Sequence, residues 1–456
     1  MELVIKNGTL VTEEGIVNED LRLEQGKIVE IRPNLVPSPG ATVIDASGLI
    51  VLPGVIDAHT HYSLVVRGAC TADDFVSGSR SAACGGVTTF IDYADPIEGK
   101  SLAQAMEQRR REAEGNACID YHLHMCLYGH RSWTKEELLE LKNAGVRNLK
   151  VFTTYDNMQI PDQNLEKLLV DCKELDMLVT VHAEDQELVA ELAGKFKVQG
   201  KVEPEYHGQS RPNECERKAI ANVIAMAEKH GTPVYFVHVS TAQGAELIRE
   251  AKSRGLMVFG ETCPHYLVLT EECFQRDFPK QYIMTPPLRS AQDNLRLWEA
   301  LQQGDLQVVA TDHCAYTLEQ KKLGKTCFTT LPGIPGSETL LPLLFSEGID
   351  RDRLTLEQLA AYLATNPAKL FGLYPQKGVI REGSDGDLVI VDPNLEKTLS
   401  GEMLHSKAGY TPFHDIKVKG YPVITVSRGK VIYRDNDFVG EPGWGQFVQA
   451  NRITWI

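Results

Sequence analysis

The sequence has no long apolar run and no recognisable export signal. A helix that spans a membrane needs about 20 consecutive apolar residues, but the apolar run at residues 49–55 is already interrupted by Pro53 and Gly54. The N-terminal stretch contains the acidic Glu2 and lacks the apolar segment of a signal peptide. These absences predict a cytoplasmic protein with no membrane partner.

An excess of basic residues and closely spaced cysteine pairs are also lacking. The chain has 47 Lys plus Arg against 62 Asp plus Glu, a net charge of −15, whereas surfaces that bind nucleic acid are basic because phosphates are negative. Its 10 cysteines include no Cys-x-x-Cys pair, which favours reduced, buried thiols over disulfides. Nucleic acid is therefore not an expected partner.

What the sequence does contain is enough apolar material for a large core. Hydrophobic residues make up 43% and charged residues 24% of the 456 residues, which is ordinary for a folded globular protein. A (β/α)8 barrel takes about 250 residues. The length therefore suits one large domain with a second, smaller one.

Both ends of the chain have the pattern of a small β-sheet. Residues 1–51 contain short runs in which apolar and polar residues alternate, with turns at Asn7-Gly8 and Gln25-Gly26. The pattern returns in the C-terminal part, so the two ends together predict one β-sandwich domain. The predicted boundaries are 1–52 and 378–434 for this domain, 53–377 for the large domain, and 435–456 for an irregular tail that packs on another surface or another subunit.

Between these ends, eight apolar runs alternate with helix-like segments, of which 101–114, 134–143 and 164–174 are clearly amphipathic. Continuous apolar runs are typical of parallel strands that are buried on both faces. Eight β/α units predict a closed (β/α)8 TIM barrel, a fold of the α/β class. The runs are 55–58, 87–91, 119–123, 149–152, 178–181, 234–237, 256–259 and 308–310.

Polar side chains that can bind a metal follow four of the predicted strands. His59 and His61 close the first run at positions i and i+2, so both imidazoles point to the same face. His182, His238 and Asp312 each follow a later run. Alone, each is more often a hydrogen-bonded structural residue or, for the aspartate, a helix N-cap. Because barrel strands end at one common face, the coincidence at four strand ends favours a metal site.

Lys150 lies inside the apolar run 149–152, where a charged amine is costly unless it is paired or modified. An ammonium cannot bind a metal. One interpretation is a lysine whose long side chain reaches the barrel rim. The other is a neutral amine that has captured carbon dioxide and become a carbamate, whose two anionic oxygens can bridge two cations.

Several segments carry a resemblance to a known family. The segments GVIDAHTH and ATDH, together with the strand that contains Lys150, resemble the amidohydrolase superfamily, whose dinuclear members hold a carboxylated lysine in a TIM barrel. Finer similarity to the hydantoinase and dihydropyrimidinase family extends over nearly the whole chain. It is carried by TADDFVSGSRSAACGGVTTFIDY, NLKVFTTY, VHAEDQEL, ETCPHYL, TPPLR and FVGEPGWGQF.

The resemblance implies two divalent metal ions and a homotetramer. Zinc is the first expectation, and manganese or cobalt could use the same donors. Lys150 would be N6-carboxylated and would bridge both ions together with a hydroxide. The implied ligands of one ion are His59, His61 and Asp312, and those of the other are His182 and His238.

The resemblance also assigns three residues to the substrate. Tyr155, five residues after Lys150, would donate a hydrogen bond to the developing oxyanion, although a packed barrel aromatic is the alternative. Thr285 and Pro332 stand where the family usually has serine and asparagine, and backbone groups there would hold the ring. Since proline has no N–H and a fixed φ, the pocket is expected to suit a different ring or substituent.

The expected activity is metal-assisted hydrolysis of a cyclic amide substrate, a hydantoin or a dihydropyrimidine, to an N-carbamoyl amino acid. A metal-bridging hydroxide would attack the carbonyl, and Asp312 would accept its proton and deliver it to the leaving nitrogen. Allantoinase and dihydroorotase are alternatives with the same metal site. A barrel that is only a scaffold is the non-enzymatic alternative, which the six retained ligands oppose. No substrate-binding cation is evident beside Tyr155, which favours a neutral ring over one with a carboxylate.

Overall fold

The computed structural model describes residues 2–456. Its strands fall into a barrel and a separate β-domain. In chain order the strands are β1 (Glu2–Lys6), β2 (Thr9–Thr12), β3 (Gly15–Val17), β4 (Asp20–Glu24), β5 (Lys27–Arg32), β6 (Thr42–Asp45), β7 (Ile50–Pro53), β8 (Val55–Thr60), β9 (Val65–Val66), β10 (Ala69–Cys70), β11 (Val87–Ala94), β12 (Asp120–Cys126), β13 (Asn148–Phe152), β14 (Leu178–His182), β15 (Val234–Phe236), β16 (Val258–Thr262), β17 (Val308–Val309), β18 (Leu388–Thr398), β19 (Lys417–Ser427), β20 (Lys430–Arg434) and β21 (Asp437–Phe438).

Most helices lie between the barrel strands. They are α1 (Phe75–Cys84), α2 (Leu102–Ala113), α3 (Lys135–Asn143), α4 (Asp162–Glu174), α5 (Gln186–Val198), α6 (Glu205–Gln209), α7 (Asn213–His230), α8 (Ala242–Ser253), α9 (Pro264–Val268), α10 (Ala291–Gln303), α11 (Leu318–Leu323), α12 (Leu340–Leu344), α13 (Leu356–Ala360) and α14 (Asn366–Leu370). Short 3-10 helices lie at Glu271–Gln275, Pro279–Tyr282 and Ser337–Thr339, and π-helical turns at Phe345–Ile349 and Ala361–Thr365. Within residues 2–456 no helix combines the length and the apolar character that crossing a membrane requires.

Eight parallel strands, β8 and β11 to β17, form the barrel in chain order. All residues of β8, β11 and β12 are buried, which explains why such strands stand out in the sequence as apolar runs. An isolated parallel bridge between Thr60 and His313 joins the two edges of this sheet. The predicted (β/α)8 barrel is confirmed, and each of the eight predicted runs overlaps one barrel strand.

Local signals define the helices that cover the barrel. Ser101 caps α2 and Ser290 caps α10, each in a reciprocal capping box. The helices α2, α3 and α4 coincide with the three predicted amphipathic segments. Their buried positions recur at helical spacing, as with Leu165, Leu168 and Leu169 of α4, which packs on β14.

Two further sheets form the second domain. One has the order β5-β4-β1-β6, and the other has the order β21-β20-β19-β18-β7-β2-β3. The larger sheet joins both ends of the chain, because β18 pairs antiparallel with β7, with Leu388 opposite Pro53. A shared apolar core includes Ile5 and Leu21 from one sheet and Leu388 from the other. The predicted β-sandwich built from both termini is therefore confirmed.

The C-terminal tail packs on the barrel of its own chain. The backbone N–H of Tyr121 in β12 donates to the carbonyl of Gln446 at 2.9 Å, and the N–H of Val448 donates to the carbonyl of Tyr121 at 2.8 Å. Ala450 continues the contact through a backbone bond of 2.8 Å to Gly145. The tail thus packs against the amino-terminal part of β12 and the segment that precedes β13.

A buried ion cluster joins the barrel to the C-terminal part of the chain. The ammonium of Lys377 lies 2.5 Å from Asp120, 2.6 Å from Asp387 and 3.0 Å from Asp385. These carboxylates hold the pKa of Lys377 above its usual value despite the opposing effect of burial. Because Lys377 lies among the three aspartates, the cluster already contains its own cation.

Candidate metal centre

Five of the six predicted ligands lie at or just after the carboxyl ends of their strands. His59 is the penultimate residue of β8, and His61 directly follows that strand. His182 is the last residue of β14. His238 and Asp312 follow β15 and β17 by a few residues, and Lys150 is the central residue of β13. The barrel therefore gathers residues that are more than 250 positions apart in the chain at one face.

One half of the site consists of His59, His61 and Asp312. Each histidine has its Nε2 atom 3.2 Å from the same carboxylate oxygen of Asp312. One potential ligand atom from each of the three residues lies within 4.8 Å of the others. This spacing allows the three side chains to share one cation.

The other half of the site consists of His182 and His238. Their ring centroids are 4.5 Å apart, and His238 lies 5.5 Å from His59, so the two halves adjoin. Burial lowers the pKa of His182, and it lowers the pKa of His59 and of His238 well below the value of free imidazole. Neutral imidazole is the form of histidine that binds metals.

Asp312 remains ionised although its side chain is only 13% exposed. Burial by itself would raise the pKa of this carboxyl, but the neighbouring imidazoles of His59, His238 and His61 hold it well below its usual range. An ionised carboxylate can bind a cation, and it can also accept a proton from a reacting group. The site thus holds one anionic carboxylate among its imidazole donors.

Lys150 is only 1% exposed. Its ammonium nitrogen lies 5.2 Å from the ring centroid of Tyr93 and 5.1 Å from that of Phe152. Burial lowers the pKa of Lys150 to about 8, against the opposing effect of Glu261 and Asp312. A neutral fraction of roughly one tenth is therefore available at pH 7, and the neutral amine is the form that reacts with carbon dioxide.

Two buried glutamates that sequence reasoning missed orient the histidines. Glu261 in β16 lies 2.5 Å from Nδ1 of His59, and its other oxygen accepts a bond of 2.7 Å from the hydroxyl of Tyr235. Glu184 lies 2.8 Å from Nε2 of His182. Carboxylates of this kind fix ring orientation and leave the opposite nitrogen for a metal. Glu261 lies two residues beyond the predicted run 256–259, whereas β16 extends to Thr262 and includes it.

Three predicted site residues have left-handed backbone conformations. The φ angles are +39° at His238, +50° at Asp312 and +73° at Tyr155. Residues other than glycine seldom adopt such angles, and strain of this kind concentrates at functional sites. All three residues lie in the loops that follow barrel strands, where the chain turns sharply to present a side chain.

Tyr155 borders the site beside His182, with ring centroids 5.3 Å apart. The guanidinium of Arg211, a residue that sequence reasoning missed, lies 5.4 Å from the ring centroid of Tyr155. Arg211 also donates a 2.5 Å hydrogen bond to Glu184. Burial raises the pKa of Tyr155, while Arg211 opposes this effect. The ion pair with Glu184 balances the positive charge of Arg211. The two residues are 27 positions apart in the chain, so the sequence did not indicate this pair.

Thr285 and Pro332 lie in two loops that meet near the site. Thr285 is close enough to Tyr155 for its side chain to lower the tyrosine pKa in part. The loops are joined by Lys321, a fully buried residue that sequence reasoning missed, whose ammonium donates to the carbonyls of Ile283 at 2.9 Å and Leu331 at 3.3 Å. The structure therefore brings the two predicted substrate segments together.

The donors of this site fit divalent cations. Four imidazoles and one carboxylate are ligands that zinc and related ions prefer. Among residues 2–456 the buried hydroxyl of Tyr93 has no hydrogen-bond partner, although its ring stacks on His61 at 4.7 Å and adjoins Lys150. A carbamate on Lys150 would add acceptor oxygens to this region.

Comparison with known proteins points in the same direction. The sequence pattern of the amidohydrolase family matches residues 50–432. A D-hydantoinase of Geobacillus stearothermophilus is 43% identical over 455 residues, which cover 98% of this chain and 96% of the relative. A D-hydantoinase of Ralstonia pickettii is 39% identical over 457 residues, or 99% of each chain.

Solved structures agree with the sequence comparison. The crystal structure of a dihydropyrimidinase from Brevibacillus agri NCHU1002 superposes with a TM-score of 0.96 at 38% identity, covering 99% of both chains. The likeness therefore includes the β-domain as well as the barrel.

Proposed function

The chain belongs to the amidohydrolase family, and from this premise we propose that it is a metal-dependent hydrolase that opens the cyclic amide of hydantoins or dihydropyrimidines. The product would be an N-carbamoyl amino acid. The observation that carries the proposal is the convergence of His59, His61 and Asp312 within 4.8 Å. The hydantoinases and dihydropyrimidinase that resemble this chain over nearly its whole length support the choice of ring.

The proposed site holds two divalent ions, with zinc as the first expectation and manganese or cobalt as alternatives. His59, His61 and Asp312 would hold one ion, His182 and His238 the other, and Lys150 would hold both as a carbamate. When bound, such ions lower the pKa of water and polarise a carbonyl group. The lowered pKa of Lys150, about 8, supports the carbamate because the neutral amine is the reactive form.

Asp312 would move the proton during ring opening. Its carboxylate is ionised and 13% exposed on its side chain, so it can meet both a water and the substrate. It would accept a proton from the attacking water and return it to the ring nitrogen as the amide bond breaks. This proton transfer is needed because an amide nitrogen that leaves as an anion is a poor leaving group.

Tyr155 would stabilise the negative charge that develops on the carbonyl oxygen. Burial keeps its phenol protonated, so it remains a hydrogen-bond donor at neutral pH. Backbone acceptors near Thr285 and Pro332 would hold the ring N–H groups, and neither contributes a positive charge. Arg211 is bound to Glu184, so its charge is already balanced. A ring without a carboxylate therefore suits this pocket better than dihydroorotate.

A substrate panel tests the proposed activity. The panel contains hydantoin, 5-substituted hydantoins, dihydrouracil, allantoin and dihydroorotate, each assayed by release of the ring-opened product. We expect the preferred hydantoin or dihydrouracil to exceed dihydroorotate by at least about tenfold in kcat/KM, because an uncompensated carboxylate is costly to bury. Preference for dihydroorotate or allantoin would show that the proposed substrate class is wrong, without contradicting the proposed metal site.

Tyr155→Phe tests the oxyanion role with the best substrate of that panel. A donor that acts on the transition state should affect kcat more than KM, and we expect kcat to fall by at least about tenfold. Steady-state kinetics with the metal content of both proteins measured provides the comparison. Full activity of the phenylalanine variant would show that Tyr155 is only a packed aromatic.

Two further parts of the proposal concern the cellular compartment and the subunit number. All ten cysteines are unpaired thiols and nine of them are buried, which suits a protein of the reducing cytoplasm. A homotetramer is the assembly that the family resemblance implies. Mass measurement of the purified protein in solution would test the subunit number directly.

A further inference from the structure

We infer that Gln186 is a positioning residue for ring opening, because its side chain holds residues 154–156 and thereby sets where the phenol of Tyr155 stands. This inference rests on the proposed function, since it takes Tyr155 to be the oxyanion donor. Gln186 was not among the residues that sequence reasoning selected. Its side chain reaches across from the strand end that carries His182.

One amide group contacts three consecutive residues. The carbonyl oxygen of the Gln186 side chain accepts a 2.9 Å hydrogen bond from the backbone N–H of Tyr155 and a 2.7 Å bond from the hydroxyl of Thr154. Its NH2 group donates a 2.6 Å bond to a carboxylate oxygen of Asp156. The backbone N–H can only donate and the carboxylate can only accept, so these contacts define the orientation of the amide.

Tyr155 needs such support because its backbone is unfavourable by itself. With φ at +73° it lies in the left-handed region, which a tyrosine rarely occupies unless its surroundings hold it there. The carbonyl of Tyr155 accepts bonds from the N–H groups of Met158 at 2.9 Å and Gln159 at 2.8 Å. Gln186 fixes the N–H on the other side of the residue. Both peptide groups that flank the Tyr155 side chain are therefore held.

Gln186 is itself anchored firmly. It is the first residue of α5, whose N-cap Asp185 accepts a 2.8 Å bond from the N–H of Leu188. The adjoining Thr153 hydroxyl donates to the carbonyl of Glu184 at 2.8 Å and accepts from the N–H of Glu184 at 3.0 Å. The loop after β13 is thus tied to the segment that follows His182. The oxyanion donor and a predicted metal ligand consequently share one rigid support.

The expected consequence is a defect in kcat rather than in substrate affinity. Gln186→Met keeps the length of the side chain and removes all three hydrogen bonds. We expect kcat to fall by about tenfold with KM within about twofold, because a small displacement of a reacting group is costly in the transition state. Gln199→Met is the matched control, since it makes the same change at an exposed position just beyond the other end of α5.

A double-mutant cycle separates positioning from a general structural role. If Gln186 acts through the Tyr155 hydroxyl, adding Gln186→Met to Tyr155→Phe should cause little further loss of kcat. Additive losses, or a rise in KM with kcat unchanged, would contradict the inference. Wild-type kinetics in Gln186→Met would also overturn it.

A conservative rescue tests the individual contacts. Gln186→Glu keeps an acceptor for Tyr155 and Thr154 but sets a carboxylate against that of Asp156, so we expect kcat to fall. Adding Asp156→Asn restores a donor opposite the new carboxylate and should recover most of the wild-type kcat. Failure of this pair to recover activity, while both proteins remain folded by circular dichroism, would contradict the proposed contacts.

Hydrogen exchange measured by mass spectrometry tests the contact without any substrate. The N–H of Tyr155 should exchange slowly in the wild-type protein, and the peptide spanning residues 152–160 should exchange faster in Gln186→Met but not in Gln199→Met. Equal exchange in all three proteins would overturn the inference. If the wild-type protein opens no ring in the substrate panel, the proposed function fails, whereas this measurement still decides whether Gln186 holds the loop.

Discussion

Replacing Lys150 by alanine is expected to remove nearly all ring-opening activity together with the paired metal ions. Lys150 is the only proposed ligand that bridges the two halves of the site, and its carbamate would be the main negative charge between two cations. Without it, four imidazoles and one carboxylate would have to offset the mutual repulsion of the two ions. The measurement is the metal content per chain by elemental analysis, with turnover of the best hydantoin or dihydropyrimidine in the same sample.

Lys195→Ala provides the control for this experiment, because it removes an exposed lysine from α5. We expect this variant to keep wild-type metal content and activity. If Lys150→Ala retained two tightly bound ions and normal turnover, the carbamate assignment would be wrong. Lys150 would then be an unmodified buried lysine that does not bind metal.

Asp312→Asn should separate metal binding from proton transfer. The amide oxygen can still occupy a ligand position, but the side chain can no longer accept a proton. We therefore expect metal to remain bound while kcat falls by about 100-fold or more, the usual size of an acid–base contribution. Metal analysis and steady-state kinetics on one preparation measure both effects.

Asp415→Asn is a matched control, because this aspartate is 84% exposed on its side chain and has a left-handed backbone, with φ at +65°. It repeats the chemical change of Asp312→Asn at a comparable backbone conformation away from the barrel. Wild-type activity is expected in the control. Unchanged turnover in Asp312→Asn would remove Asp312 from proton transfer, and loss of metal would make it chiefly a ligand.

The barrel could be predicted from sequence because its strands are buried on both faces. Every residue of β8 and β11 is buried, and each strand contains a mainly apolar run, so strand order and number follow from the runs. The histidines could be predicted because parallel strands end at one face. The ends of elements were harder to predict, since β12 and β16 begin and finish later than their apolar runs.

The residues around the metal ligands could not be found in the same way. Arg211 and Lys321 lie in or after irregular segments, and their partners Glu184 and Ile283 are distant in the chain. Gln186 looked like an ordinary polar residue at the start of a helix. Only the packed loops show which side chains meet, because tertiary contact and not local pattern decides their roles. Glu261 was missed for a related reason, because β16 extends beyond the predicted run 256–259.

Metal titration of the metal-free protein tests the central claim most directly. After removal of metal by a chelator, zinc is added back in known amounts, and bound metal and the rate of ring opening of the best panel substrate are measured together. We expect negligible activity without metal and a rate that rises until two ions are bound per chain. Full activity in the metal-free protein, or a rate that reaches its maximum with one ion per chain, would contradict a two-metal hydrolase.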